Sequence, residues 1–184
     1  MAKWFFEPGH TAAEFCIRHM MVTWVRGHFK DIHGTLEFDP ENPAELSAEM
    51  EIETRKLWTG VPERDAHLRS ADFFDVENHP KITFQGGEVE LIGENEFKLK
   101  GDLTIRGVTK KVTLDVRYLG RWKTPYWVGG VTEKTFIRAG AVARTRINRH
   151  DFGVSWQDTL DKGGIVVGND VHITIDVEAM LELV

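Results

Sequence analysis

Phe97-Lys98-Leu99-Lys100-Gly101-Asp102-Leu103-Thr104-Ile105-Arg106-Gly107-Val108-Thr109-Lys110-Lys111-Val112-Thr113-Leu114-Asp115-Val116-Arg117-Tyr118 decides the fold class. Phe97, Leu99, Gly101, Leu103 and Ile105 alternate with Lys98, Lys100, Asp102, Thr104 and Arg106. Val112, Leu114, Val116 and Tyr118 alternate with Lys111, Thr113, Asp115 and Arg117 in the same way. Successive strand side chains point to opposite faces, so each run has one apolar and one polar face. Arg106-Gly107-Val108-Thr109 between them reads as a hairpin connection. The unit is an antiparallel pair with one face buried and one face in water.

The same alternation recurs upstream. Trp4 to Phe6 reads as a short first strand stopped by Pro8-Gly9. Ala13, Phe15 and Ile17 alternate with Ala12, Glu14, Cys16 and Arg18. The stretch 19–29 is irregular and reads as a short turn or single helical turn, then a strand reaching Phe29. Gly27 and Gly34 mark bulges or close backbone approach. Gly34, Leu36 and Phe38 alternate again, Asp39-Pro40-Glu41-Asn42-Pro43 turns, and Leu46, Ala48, Met50 and Ile52 face one side. Downstream, Ile82 and Phe84 open a strand, with turns expected at Gln85-Gly86-Gly87-Glu88 and Ile92-Gly93-Glu94-Asn95. The stretch 120–140 is aromatic, glycine-rich and less regular, and 142–147 reads as a strand. Asn148 to Gly153 breaks the pattern, 158–164 is a polar loop, and Val171, Ile173, Ile175 and Val177 close the chain. About eight strands with short connections and no βαβ alternation predict an antiparallel sheet curled into a barrel, which hides its edges.

One stretch, residues 64–84, does not alternate. Thr59 can cap a helix, Pro62 suits its first turn, and Glu63 lies near the positive end of the dipole. Leu57, Val61 and Leu68 are placed on one face, and Glu63–His67 and Asp65–Arg69 are spaced as i, i+4 pairs. Ser70 can cap a second short turn bearing Phe73 and Phe74, and Asn78-His79-Pro80 ends the insert. A helical contribution is therefore expected over about 62–74, closing one end of the β structure.

Composition narrows the function. A chain of 184 residues suits a single domain spanning 1–184. The net charge of −6 does not suggest a nucleic-acid or anionic-membrane surface. One cysteine, Cys16, excludes an internal disulfide framework, and it falls on the polar side of its strand. No apolar run is long enough for a membrane-spanning helix. The N-terminus lacks a signal peptide's apolar stretch, so a complete gene product is expected in the cytoplasm, and a processed form in the periplasm. The spacing of His10, His19, His28 and His33 matches no familiar metal site, and Gly-x-Ser-x-Gly, His-Glu-x-x-His and phosphate-binding glycine loops are absent. No metal, cofactor or catalytic group is therefore assigned.

The chain resembles the YceI-like family of lipocalin-like, polyisoprenoid-binding proteins. The resemblance rests on Trp4, His10-Thr11, Phe15, Arg18-His19-Met20 and Val25-Arg26-Gly27-His28-Phe29. It continues through Arg64-Asp65, His67-Leu68-Arg69-Ser70, Asp72-Phe73-Phe74-Asp75-Val76, Pro80 and Ile82-Thr83-Phe84. Gly101 to Lys110, Asn148-Arg149, Phe152-Gly153, Val167-Gly168 and the stretch 171–178 complete it. The chain departs from the family in showing no signal peptide and in carrying Lys111 where a proline is common. The resemblance implies an all-β, extended eight-stranded antiparallel barrel with one short helical insert. It also implies binding, sequestration or transport of a polyisoprenoid or similar long-chain amphiphile without catalysis.

The candidate ligand-binding residues are the apolar members of the inner face. They are Phe15, Ile17 and Phe29, then Leu36, Phe38, Met50 and Ile52, then Ile82, Phe84, Phe97, Leu99, Leu103, Ile105 and Leu114. Leu68 and Phe74 of the insert, Trp156 and Ile173 join them. Gly101, Ala13 and Ala48 are expected to leave room for a cavity. Arg18, Arg26 and Arg149 are the candidates for an anionic head group at the mouth. The alternatives are an enzyme acting on such a lipid through His67 or another histidine near the cavity mouth, and a structural or stress-related module with a filled interior. A homodimer is carried as a candidate assembly.

Overall fold

The computed structural model describes residues 1–128 and 131–182 and, between 126 and 134, the backbone alone. The strands are β1 (Ala2–Phe6), β2 (Ala12–His19), β3 (Thr23–Phe29), β4 (His33–Phe38), β5 (Ser47–Glu53), β6 (Lys81–Leu91), β7 (Glu96–Ile105), β8 (Val108–Val128), β9 (Val131–Asn148) and β10 (Val167–Glu182). One helix, α1 (Pro62–Arg69), lies between β5 and β6.

β1-β4-β5-β6-β7-β8-β9-β10 form an antiparallel ring of eight strands, closed where Phe5 pairs with Met180 and Phe6 with Ala179. The remaining two strands extend the same positions lengthwise. β2 pairs with the first half of β10, as β1 pairs with its second half, and β3 pairs with β2 as β4 pairs with β1. β3 is joined to the chain beyond β5 by the His28–Trp58 bridge, with N–H···O distances of 2.8 and 3.0 Å. Ten pieces thus fill eight positions. At the β1–β2 break Pro8 offers no N–H. There the Thr11 hydroxyl donates to the Glu178 carbonyl and accepts from the Glu178 N–H, each at 3.2 Å. The Glu7 N–H donates to the same carbonyl at 2.8 Å, so a buried side chain carries on the ladder where the backbone of β1 leaves off.

The inner face follows the alternation. In β7, Phe97, Leu99, Gly101, Leu103 and Ile105 are buried and the residues between them are only half-buried. The Arg106-Gly107 turn has both residues at positive φ, 50° and 72°, as a tight hairpin requires. The β2–β3 connection is a turn with Met20 and Met21 at φ 48° and 61°, and contains no helical turn. Its geometry is held by Met20 N–H on the Val166 carbonyl at 2.7 Å.

Several local expectations are corrected. Gln85-Gly86-Gly87-Glu88 is not a turn: β6 runs unbroken through it with a bulge between Gly86 and Glu88. Much of 120–140 is strand, because β8 and β9 continue past the barrel as a two-stranded ribbon, and the part at 129–130 lies outside the described residues. α1 ends at Arg69, short of 74, and a hydrogen-bonded turn follows from Ser70. Its N-cap is Val61, which makes no side-chain cap. Thr59 instead donates through its N–H to the buried Asp65 at 2.9 Å and also bonds it through the hydroxyl. The two expected i, i+4 pairs do not form: His67 pairs with Asp72, and Arg69 donates to the Arg55 and Leu57 carbonyls. Val61 is exposed while Leu57 is buried, so they share no face.

Candidate functional site

Strands β5, β7 and β9 end, and β6, β8 and β10 begin, at the end of the barrel where the two excursions, 54–80 and 149–166, cross over the lumen. These excursions are tied down by arginines donating to backbone carbonyls. Arg69 reaches back to 55 and 57, as above. Arg106, from the β7–β8 turn, donates to Phe73 O at 2.9 Å and Gly153 O at 3.1 Å, so one guanidinium joins both excursions. Arg149 donates to Val154 O (2.8 Å), Trp156 O (2.7 Å), Gly168 O (2.8 Å) and Val167 O (3.3 Å). Its fork of donors suits several acceptors at once. Burial holds the Arg149 guanidinium below its usual range.

Under this cover lies a cavity of about 460 Å³. Its side walls are the inward residues of β2, β3 and β5 to β10, and its roof is Leu68, Phe73, Phe74, Phe152, Val154 and Trp156. Two sets of aromatic contacts fix the roof. Phe15 packs on Phe29 at 5.7 Å and Phe29 on Phe74 at 5.9 Å. His67, Phe73 and Trp156 form a triangle with centroids 5.0, 4.9 and 5.4 Å apart. Space for Phe15 exists because residue 27 is glycine: a Cβ there would lie 2.2 Å from its ring. The filled interior is therefore not what this sequence builds.

Of the sequence-derived candidates, Phe15, Ile17, Phe29, Met50, Ile52, Leu68 and Phe74 line this cavity. So do Ile82, Phe84, Leu103, Ile105, Leu114, Trp156 and Ile173. Leu36, Phe38, Phe97 and Leu99 face a separate, smaller space in the other half of the barrel. Ala13 lines the larger space and Ala48 the smaller. Gly101 does not leave room for a ligand. A Cβ there would lie 2.5 Å from the Gln85 carbonyl oxygen and 2.7 Å from the Phe84 ring, so the glycine serves close packing.

The head-group candidates separate. Arg149 touches the cavity, but its donors are taken by four carbonyls, which removes it from that role. Arg26 lines neither space; its exposed side chain lies 3.8 Å from Glu14. Arg18 remains at the cavity margin, its guanidinium 4.4 Å from the Trp24 ring centroid. The sequence reading missed Arg64, which also lines the cavity. It donates through Nε to Thr59 Oγ1 at 2.8 Å and through Nη2 to Thr59 O at 3.0 Å, leaving Nη1 uncommitted among the described residues. Nothing in the spacing of Arg64 shows the loop before α1 folding under it.

His67 lines the cavity with Nε2 2.8 Å from Asp72 Oδ2. Beside this pair the cavity lining holds the polar side chains of Glu14, His19, Glu63 and Thr145. Elsewhere, Glu7, His10 and Glu178 are the one group among the described residues close enough to share a cation. His10 Nδ1 already lies 3.0 Å from Glu7 and 3.3 Å from Glu178, and Arg138 bonds the second Glu178 oxygen. The set is an ion-paired clasp of the β1–β2 break onto β10.

The YceI-like domain matches residues 4–179. A UPF0312 protein of Pectobacterium atrosepticum is 37% identical over 174 residues, 95% of this chain and 83% of that one. Among solved structures, BcnA of Burkholderia cenocepacia superposes with TM-score 0.79 at 21% identity, over 94% of this chain and 98% of its own. A polyisoprenoid binding domain from Saccharophagus degradans gives 0.68 at 12% identity, over 98% and 99%. Both share the fold.

Proposed function

Because the chain belongs to the YceI-like family, we propose that it is a non-enzymatic binding protein that takes the apolar tail of a polyisoprenoid or similar long-chain amphiphile into the cavity under α1. It sequesters or carries that lipid. The observation that carries this reading is the cavity itself: about 460 Å³, within the range of ligand sites, with walls almost wholly of carbon. A structural neighbour's description as a polyisoprenoid binding domain supports the ligand class.

The physics suits a tail. Each buried methylene contributes roughly 0.8 kcal/mol, so about ten give some 8 kcal/mol before ordering and immobilisation are subtracted. The attraction has no direction, so cavity shape selects the tail. An anionic or hydroxyl head would rest near Arg64 and Arg18, where an uncommitted guanidinium nitrogen is available.

Native mass spectrometry of freshly purified protein, followed by organic extraction, tests this. A bound long-chain lipid that survives in folded His67→Ala is expected. Protein that is empty and takes up no prenol would refute binding, and accumulation of unconverted lipid on His67→Ala alone would make the protein an enzyme.

A further inference from the structure

The barrel interior holds two separate chambers that meet at a waist of shared lining residues. The second chamber, about 90 Å³, lies toward the β8–β9 ribbon and is bounded by Phe38, Leu46, Phe97, Leu99 and Tyr118 among others. Four residues line both chambers: Met50, Phe84, Leu114 and Ile175. They come from β5, β6, β8 and β10, so they approach the axis from different sides of the ring.

The wall behind Phe84 explains where its ring lies. Gly86 and Gly101 pair across β6 and β7. A Cβ on Gly86 would fall 2.7 and 2.8 Å from two atoms of the Phe84 ring, and one on Gly101 would fall 2.7 Å from it. The ring is therefore laid against a bare patch of barrel wall that only two glycines can provide. Any side chain at 86 pushes the ring into the lumen. Met50, paired opposite Phe84 in the sheet, is unbranched and can change rotamer to widen or narrow the gap.

We infer that this waist sets the length of tail the protein accepts, with Phe84 as the length-determining side chain and Gly86 as the residue that holds its ring aside. The inference rests on the proposed lipid-binding function. At roughly 30 Å³ per heavy atom, the volume of a water molecule in the liquid, the helix-end chamber takes on the order of fifteen carbons. That is about three isoprene units. A longer tail passes the waist into a chamber holding only a few more, or leaves its surplus outside. Affinity then climbs with tail length up to the capacity of the first chamber and flattens beyond it.

The test is a binding series with all-trans prenols of about two to about eight isoprene units, measured by competition against one fluorescent prenyl probe. Wild type is expected to level off near three to four units. Phe84→Ala merges the chambers, so its plateau should move to longer prenols and its affinity for them should rise about tenfold over wild type. Phe84→Leu gives the same shift, smaller, if the alanine variant does not fold. Gly86→Ala should weaken the longer prenols about tenfold while sparing the shortest, and should lose that effect in the Phe84→Ala background. Its Cβ meets only side-chain atoms, Phe84 and Leu99, at the closest distances, so the fold can accommodate it. Prenols that bind with one and the same length profile in wild type and both Phe84 variants would overturn the waist. Folded wild type that binds no prenol at any length would instead overturn the proposed function.

Discussion

Arg149 is committed to backbone carbonyls through all three of its guanidinium nitrogens. It is 4% exposed and its three nitrogens serve four carbonyls drawn from the start of β10 and from the cover over the cavity. Hydrogen bonds to a charged group contribute roughly 1.5–3 kcal/mol each way, and a buried carbonyl left unmade costs about 1–3 kcal/mol. Lysine keeps the charge but cannot span these acceptors. Arg149→Lys is therefore expected to lower stability by about 3 kcal/mol or more in chemical denaturation. Arg26→Ala, on an exposed side chain, should stay within about 0.5 kcal/mol. Equal, small effects would mean the carbonyl network carries no weight. Phe15, Gly27 and Gly101 make a related point at the same scale. The glycines matter for the aromatic rings laid over them, not for any freedom of their own backbones.

At the scale of elements, the covering excursions behave as one unit only if something joins them. Arg106 does so, through Phe73 O and Gly153 O. Hydrogen-exchange mass spectrometry on Arg106→Ala should show faster exchange in both 70–76 and 149–154, with β7 and β10 protected as before. Loosening of one stretch alone, or of the strands as well, would contradict the link. These excursions also show where sequence and structure part. Strands with one buried face, such as β7, announce themselves by alternation, and so do the cavity-facing candidates of β2, β5 to β8 and β10, whereas Phe29, Leu68, Phe74 and Trp156 lie in stretches whose sequence does not alternate. β6 was broken at Gly86-Gly87 because paired glycines signal a turn, whereas here they make a bulge and a seat for Phe84. In the ribbon Arg121, Trp122 and Lys123 are all exposed, so that part of β8 carries no alternation to read. The roles of Thr59, Arg64 and Arg149 are set by partners on other segments or by backbone carbonyls, and neither has a period. Leu36, Phe38, Phe97 and Leu99 were correctly placed inside, but strand phase gives the face of a residue and not its chamber.

For the whole molecule, closure of eight strand positions into one ring pairs the sheet edges, save β3, whose outer side is held by the single His28–Trp58 bridge, and turns the inward side chains toward one axis. That geometry yields a packed core unless the ends are wide or the side chains small. Here Gly27 and Ala13 widen one end, and α1 with its following turn roofs it without filling it. The central claim is that an apolar tail occupies this roofed chamber. The most direct measurement is photocrosslinking of the full chain with a prenyl probe bearing a diazirine at the tail end, followed by peptide mapping of the adducts. The account expects adducts on inward residues of the chamber and waist, such as Ile82, Phe84, Leu114 or Ile173, suppressed by excess unlabelled prenol. Adducts confined to the outer face of the barrel, or labelling that unlabelled prenol does not compete away, would contradict it.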